Sequence, residues 1–400
     1  SNLVINLGSG ETATFINMTA TSFTSGSDVI TINGVDGGNE NITGPNVSST
    51  ITGGTGADTI VAGTGNDTID GGGGADPLTG GNGNDVYLFN TNDVASGESI
   101  TDSGGSADVV AIVTTTDFDN MPDNSLNDIE QIRFAGANQT GTFKGTQLTG
   151  ETLLLTETVA GTSTLVINVA AGTTANFANM TASSFTSGTD VITINASGVT
   201  DITGPNLITT INGASGGDTL TGGSSDDTIN GLNGDDLIDG GAGADVLVGG
   251  GGDDVYFFNT NDVASGESIT DSGGSADVVA IVTTTDFANM TANSFNDIEQ
   301  IRFTGANETG TFTGLQFTGE TLELYEPSTG TSNLIINVGT GETATFANLS
   351  ADSSFTSGMD TITINGSGGN EDITGPNLVS TIDGGGGVDT LRGGSANDTY

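Results

Sequence analysis

The chain is written in nines. From Gly53 to Leu88 four units follow one another without a break, GGTGADTIV, AGTGNDTID, GGGGADPLT and GGNGNDVYL, and five more run from Gly213 to Phe257. Their common pattern is G-G-x-G-x-D-x-(apolar)-x. Asp58, Asp67, Asp76 and Asp85 mark the first run, with Ile60, Ile69, Leu78 and Tyr87 always two residues later. Asp218, Asp227, Asp236, Asp245 and Asp254 mark the second, and Asp389 and Asp398 open a third. A flexible linker or a disordered acidic tail can be just as rich in Gly, Asp and Thr, but nothing holds an apolar residue in phase there. Strict phase predicts a stacked repeat, in which neighbouring units cover each other's apolar side.

The residue types explain themselves chemically. Glycine at the first, second and fourth positions allows backbone angles closed to other residues, so a turn can curl tightly and aim carbonyl oxygens inward. Carbonyls plus one carboxylate supply part of the six to eight oxygens that a hard cation such as calcium requires, and a stacked neighbour supplies the rest. Some turns depart from the pattern: Ala62 replaces a first Gly, Leu232 a second and Ser225 a fourth, which predicts weaker binding there. Pro77 removes a backbone donor at a strand start, a place where a short strand tolerates it.

On these motifs the chain resembles the RTX (repeats-in-toxin) family. The resemblance implies a parallel β-roll with two units per coil and calcium held between coils on the same side. Carried over unit by unit, it pairs Asp58 with Asp76, Asp67 with Asp85, Asp218 with Asp236, Asp227 with Asp245 and Asp236 with Asp254. It also implies type I export, with folding driven by high calcium outside the cell.

Composition narrows the partners. Fifty acidic against four basic side chains give a net charge of −46, which argues against nucleic acid and anionic membranes and for a cation. Carboxylates brought about 5 Å apart by stacked coils repel by roughly 3 kcal/mol at an effective dielectric of about 20, so several pairs rival the whole stability of a domain, about 5 to 15 kcal/mol. Metal is therefore expected to decide whether the rolls fold. With 33% hydrophobic residues, 66 Gly and no Trp, one large globular core is not expected, and a solenoid needs none. The absence of Cys and His removes disulfides, thiolate sites, the usual zinc ligands and the usual general base. No apolar run approaches the ~20 residues that span a bilayer, so no membrane insertion is expected.

A longer repeat encloses the short one. The segment Asn90 to Phe118 recurs unchanged as Asn259 to Phe287, NDIEQIRF follows at Asn127 and Asn296, and ITGPN recurs at Ile42, Ile202 and Ile373. These markers predict a tandem array: the end of a β insert (1–43), a roll (44–88), an insert (89–203), a second roll (204–257), a further insert (258–374) and the start of a third roll (375–400). Tyr400 matches Tyr87 and Tyr256, which suggests a window on a longer repetitive protein.

GPN at Gly44, Gly204 and Gly375 opens a degenerate nonapeptide that keeps Ile51, Ile211 and Ile382 but loses the aspartate. It is expected to be a metal-free coil that shields the end of the roll. The inserts alternate as short strands do, in LVIN from Leu165, DVITIN from Asp190, IEQIRF from Ile129 and TLLLTE from Thr152, with a possible helical turn around Asn179 to Ser184. Either sandwich-like modules or a wider β-solenoid accommodates them, and their length favours the sandwich. The fold class expected is thus all-β, with calcium-binding parallel β-roll blocks alternating with such inserts.

No catalytic constellation emerges. Glu98 with Asp102, or Asp128 with Glu130, could serve as an acid and base pair, but GGSAD beside them resembles an outlying calcium turn (Asp102 and Asp108, Asp271 and Asp277). Without histidine no ordinary triad forms. Arg133 and Arg302 are expected to pair locally with Glu130 and Glu299, and Met18, Met180 and Met290 to pack. The N-x-S/T sequons at Asn17, Asn179 and Asn289 are read as chance matches in an Asn- and Thr-rich chain. The expected function is a non-enzymatic, extracellular, calcium-dependent structural repeat protein that associates with itself into sheets or filaments, as a surface-layer, filament or adhesin-stalk component. The alternative is the passive calcium-binding region of a secreted toxin or exoenzyme.

Overall fold

The computed structural model describes residues 2–18, 28–126, 128–186, 189–292, 294–355 and 359–400. Ser1 and Asn127, which begin repeated segments in the sequence, lie outside them. The contacts gather into two units, one of Ser1–Ala170, Ala175–Asn195 and Pro205–Ile208, the other of Ala171–Thr174, Ala196–Gly204 and Thr209–Tyr400. Each is a parallel β-solenoid.

In the first unit one ladder runs through Asn2–Asn6, Val29–Asn33, Ser49–Thr55, Thr68–Gly73, Val86–Phe89, Val109–Ile112, Gln131–Phe134, Leu154–Glu157 and Thr181–Ala182. A second ladder takes the other side of each coil: Thr12–Thr14, Asn41–Thr43, Thr59–Thr64, Pro77–Asn82 and Ser99–Thr101. The second unit repeats the design, with Thr219–Gly223, Leu237–Gly241, Val255–Phe258, Val278–Ile281, Gln300–Phe303 and Glu323–Tyr325 along one ladder. Thr209–Asn212, Thr228–Asn233, Val246–Gly251 and Ser268–Thr270 form another.

Register follows the nonapeptide phase. Ile51 lies beside Ile69 and Ile69 beside Tyr87, so two units complete one coil. Alternation along each strand sends one residue in two inward, and the inward ones form continuous apolar columns: Ile51, Ile69, Tyr87, Val110, Ile132 and Leu155 are all fully buried. The second glycine of a unit has its own reason. Gly72 has φ +87°, and a Cβ there would collide with the carbonyl oxygen of Gly54 in the coil below.

The ladder passes from roll to insert without interruption, because Val86–Phe89 pairs with Val109–Ile112, and that strand with Gln131–Phe134. The inserts are thus solenoid coils, not the sandwich modules their length favoured. Their coils are longer and take bigger side chains. Phe118 stacks on Phe143 at 4.4 Å and meets Phe89 edge-on at 5.1 Å, and Phe287, Phe312 and Phe258 repeat the arrangement at 4.5 and 5.2 Å.

The segment from Asn179 to Ser184 is not helical but holds the strand Thr181–Ala182. Single helical turns occur instead at Gly145–Leu148 and Gly314–Phe317, where the Gln147 and Gln316 amides donate inward to the Phe118 and Phe287 carbonyls. Met180 and Met290 are buried, as a packing role requires. The GPN coils do not close the rolls: Val29–Asn33 pairs beneath Ser49–Thr55, and Thr361–Asn365 beneath Thr381–Asp383.

Candidate metal centre: stacked carboxylate columns

Each nonapeptide aspartate sits at the turn just before a strand, its side chain folded under the coil. Its Oδ1 accepts the backbone N–H of the residue one coil earlier, 18 positions back: Asp58 donates to Asp76 at 2.7 Å, Asp67 to Asp85 at 2.8 Å, Asp218 to Asp236 at 2.7 Å, Asp227 to Asp245 at 2.7 Å and Asp236 to Asp254 at 2.8 Å. The pairs implied by the resemblance are therefore consecutive members of a column. Asp389 and Asp398 accept the same bond from Glu371 and Ser380.

The other oxygen is what marks the site. Oδ2 of Asp58, Asp67, Asp76, Asp85, Asp227, Asp236, Asp245 and Asp254 is buried and meets no hydrogen-bond donor among the described residues. In every one of these units except that of Asp67, which opens with Ala62, it lies over the first glycine, where a Cβ would collide with it: 2.7 Å separate such an atom on Gly71 from Asp76 Oδ2. Asp218 and Asp398 are exceptions, since their Oδ2 atoms accept the N–H groups of Ala214 and Gly394. A buried carboxylate oxygen left without a partner costs several kcal/mol, and a hard cation meets that need, with neighbouring turn carbonyls to complete its shell.

Burial raises the proton affinity of these groups, and the neighbouring acids add to it. Asp58, Asp76, Asp236 and Asp245 are pushed up to about 6, Asp85 and Asp254 to about 7, and Asp227 to about 8, each first by desolvation.

The columns extend beyond the aspartates that the nine-residue phase singled out. Glu98 Oε2 accepts the N–H of Asp76, 22 residues back, Asp108 that of Asp85, 23 back, and Glu130 that of Asp108. Glu267, Asp277 and Glu299 do the same above the second roll. Glu40 precedes Asp58, and Glu371 precedes Asp389. A local signal does survive the change of spacing, since every such acid stands two residues before a buried apolar residue, as in Glu40–Ile42, Glu98–Ile100, Asp108–Val110 and Glu130–Ile132. Ser49, Thr209 and Ser380 fill the acid position in the GPN coils, each donating its N–H to the next aspartate.

Burial pushes Glu98 and Glu267 up to about 9. Glu98 and Glu130 are thus members of a ladder. The expected ion pairs of Arg133 and Arg302 with Glu130 and Glu299 do not form among the described residues. The glutamates take the backbone bonds just given, and the Arg302 Nε contact is to Gln300. Leu232, at a second-glycine position, is forced to φ +81° and left 48% exposed.

Residues 52–87, 209–238, 231–262 and 380–400 match the family model of the RTX calcium-binding nonapeptide repeat, in four copies. Over those stretches the chain carries RTX calcium-binding nonapeptide repeats, and its columns of buried carboxylates fit the ion that these repeats bind. No curated protein and no solved structure matches it. Among the described residues no helix is long and apolar enough to cross a membrane.

Proposed function

We propose that the chain is a structural, non-enzymatic repeat protein that acts outside the cell, where calcium bound between the coils by Asp58, Asp67, Asp76, Asp85, Asp218, Asp227, Asp236, Asp245, Asp254, Asp389 and Asp398 folds and stiffens it. The observation that carries this reading is the set of eight buried carboxylate oxygens without donors, held at a constant coil spacing. Such a column is self-repelling without cations and rigid with them, so calcium converts an exportable, extended chain into a solenoid. Low calcium inside a cell and high calcium outside would time that change.

The same parallel ladder runs on through the inserts on longer coils, which favours a stalk, filament or surface-layer component over a display scaffold for a reaction. Strand edges at the ends of a solenoid are the surfaces by which copies would stack. The test is circular dichroism of the chain in millimolar calcium and in chelator, followed by electron microscopy of the loaded protein. Loss of β signal in chelator and ordered sheets or fibres in calcium are expected. Equal β content in both would refute the calcium switch, and dispersed single particles at high concentration would refute the assembly.

A further inference from the structure

Where each roll passes into its insert, the column acquires a third carboxylate. Ser99–Thr101 pairs in register with the start of Pro77–Asn82, which places Asp102 directly above Gly80, the first glycine of the last nonapeptide. Single oxygens of Asp85, Asp102 and Asp108 lie within 4.8 Å of one another, all three residues being buried. Asp254, Asp271 and Asp277 form the same group above Gly249. A Cβ on Gly80 would strike Asp85 Oδ2, the Tyr87 hydroxyl and Asp102 Oδ2 together, so these three atoms converge on one point. Gly249 gives the same result with Asp254, Tyr256 and Asp271. The Tyr400 hydroxyl and Asp398 Oδ2 likewise converge over Gly393.

The donors available do not satisfy this group. The Tyr87 hydroxyl has one proton, and it goes to Asp102 Oδ2 at 2.6 Å, while the Gly80 N–H goes to the tyrosine oxygen at 2.8 Å. Asp102 Oδ1 takes the Ser103 N–H, and Asp108 Oδ1 the Asp85 N–H. Asp85 Oδ2 is left fully buried with no donor among the described residues, aimed at the two other carboxylates. Asp254 Oδ2 is left in the same way, with the Tyr256 hydroxyl bound to Asp271 at 2.6 Å. A hydrogen-bonded lock between tyrosine and aspartate would not require this third, donorless oxygen.

We propose that Asp85, Asp102 and Asp108 with the Tyr87 phenol oxygen, and Asp254, Asp271 and Asp277 with that of Tyr256, build a terminal calcium site at the exit of each roll, richer in carboxylate than the sites between nonapeptide coils. It rests on the reading that the rolls bind calcium. Three carboxylates on one ion raise its affinity above that of a two-carboxylate site, so these sites fill first and tie each roll to its insert.

The test uses the whole chain with Asp102→Asn and Asp271→Asn together, which keeps an oxygen for each tyrosine hydroxyl. Calcium bound is counted by equilibrium dialysis, and terbium is added as a luminescent probe excited through tyrosine. The proposal expects the tightest class of ions to lose two members, or to weaken at least tenfold, while calcium-driven β formation persists. An unchanged count and affinity would overturn it and leave Asp102 as a hydrogen-bond partner alone. A parent chain that binds no calcium would overturn it together with the reading of the rolls, and is seen separately. Should the double variant not fold, Tyr87→Phe with Tyr256→Phe keeps all six carboxylates: terbium emission must then fall to the level that Tyr325 and Tyr400 sustain, and emission undiminished from that of the parent would overturn the proposal.

Discussion

A nonapeptide roll and the insert above it share one ladder, yet they are stabilised by different physics. Coils in the roll return after 18 residues, with Ile and Leu inside and a carboxylate folded under every turn. Coils in the insert return after 22 to 29, which leaves room for phenylalanines that stack across coils. The short coil brings backbone and acid so close that glycine, or alanine at Ala62, is all that stands beneath the acid, and the acid has one oxygen too many for its donors. The long coil packs aromatic rings between turns and meets part of its polar demand internally, as Gln147 shows by accepting from the Lys144 N–H and donating to the Phe118 carbonyl, while Asp119 Oδ1 and Glu342 Oε1 stay buried without a donor among the described residues. One architecture therefore leans mainly on a cation in the roll and mainly on ring packing in the insert.

The widest gap between the two should open on calcium removal, and pH sets its sign. A carboxyl whose folded pKa lies above its unfolded value of about 4 favours the fold below that value and loses that contribution as pH rises through the folded pKa. For the roll acids that window runs from about 6 to about 8. Calcium-free rolls should thus be unfolded at pH 8 and regain β signal near pH 4 to 5 in circular dichroism, whereas calcium-loaded rolls stay folded at pH 8. A calcium-free roll that is more stable at pH 8 than at pH 5 would break the comparison.

Phe118→Ala or Phe287→Ala should cost about 3 to 5 kcal/mol in the insert's unfolding transition and leave the number of bound ions unchanged. Loss of calcium with the ring would mean that the two regions fold as one. Asp236 stands between Asp218 and Asp254 in its column, so Asp236→Asn should act in opposite directions in the two states. It should raise the calcium midpoint about tenfold, or about 1.4 kcal/mol, and also stabilise the calcium-free roll by removing a buried charge. A shift of the same sign in both states contradicts a cation role for the column. Least of all, Leu232→Gly should stabilise the loaded roll by about 0.5 to 1 kcal/mol, as relief from a left-handed backbone exceeds the added chain entropy, and thermal unfolding reads it directly.

What the sequence disclosed divides along the same line. In the rolls a fixed nine-residue phase fixes coil length, and Asp58 over Asp76 or Ile51 beside Ile69 could be placed from spacing and family resemblance. In the inserts coil length varies with each turn, so phase disappears: Asp108 could be read only as part of an outlying calcium turn, and Glu98 and Glu130 only as acids beside one, without their place in the column. Their position two residues before a buried Ile or Val was the surviving clue. The convergence of Tyr87, Asp85 and Asp102 was less accessible still, because it depends on the four residues by which that coil exceeds 18, which set Asp102 over Gly80. The GPN coils were legible in register but not in position, since nothing local shows that another coil lies beneath Ser49.

Hydrogen exchange resolved by segment, with calcium and with chelator at pH 8, tests the central claim most directly. Strands Thr59–Thr64, Thr68–Gly73, Thr228–Asn233 and Leu237–Gly241 should be protected only with calcium, while Gln131–Phe134 and Gln300–Phe303 stay protected in both. Equal protection of the roll strands with and without the ion would contradict the account.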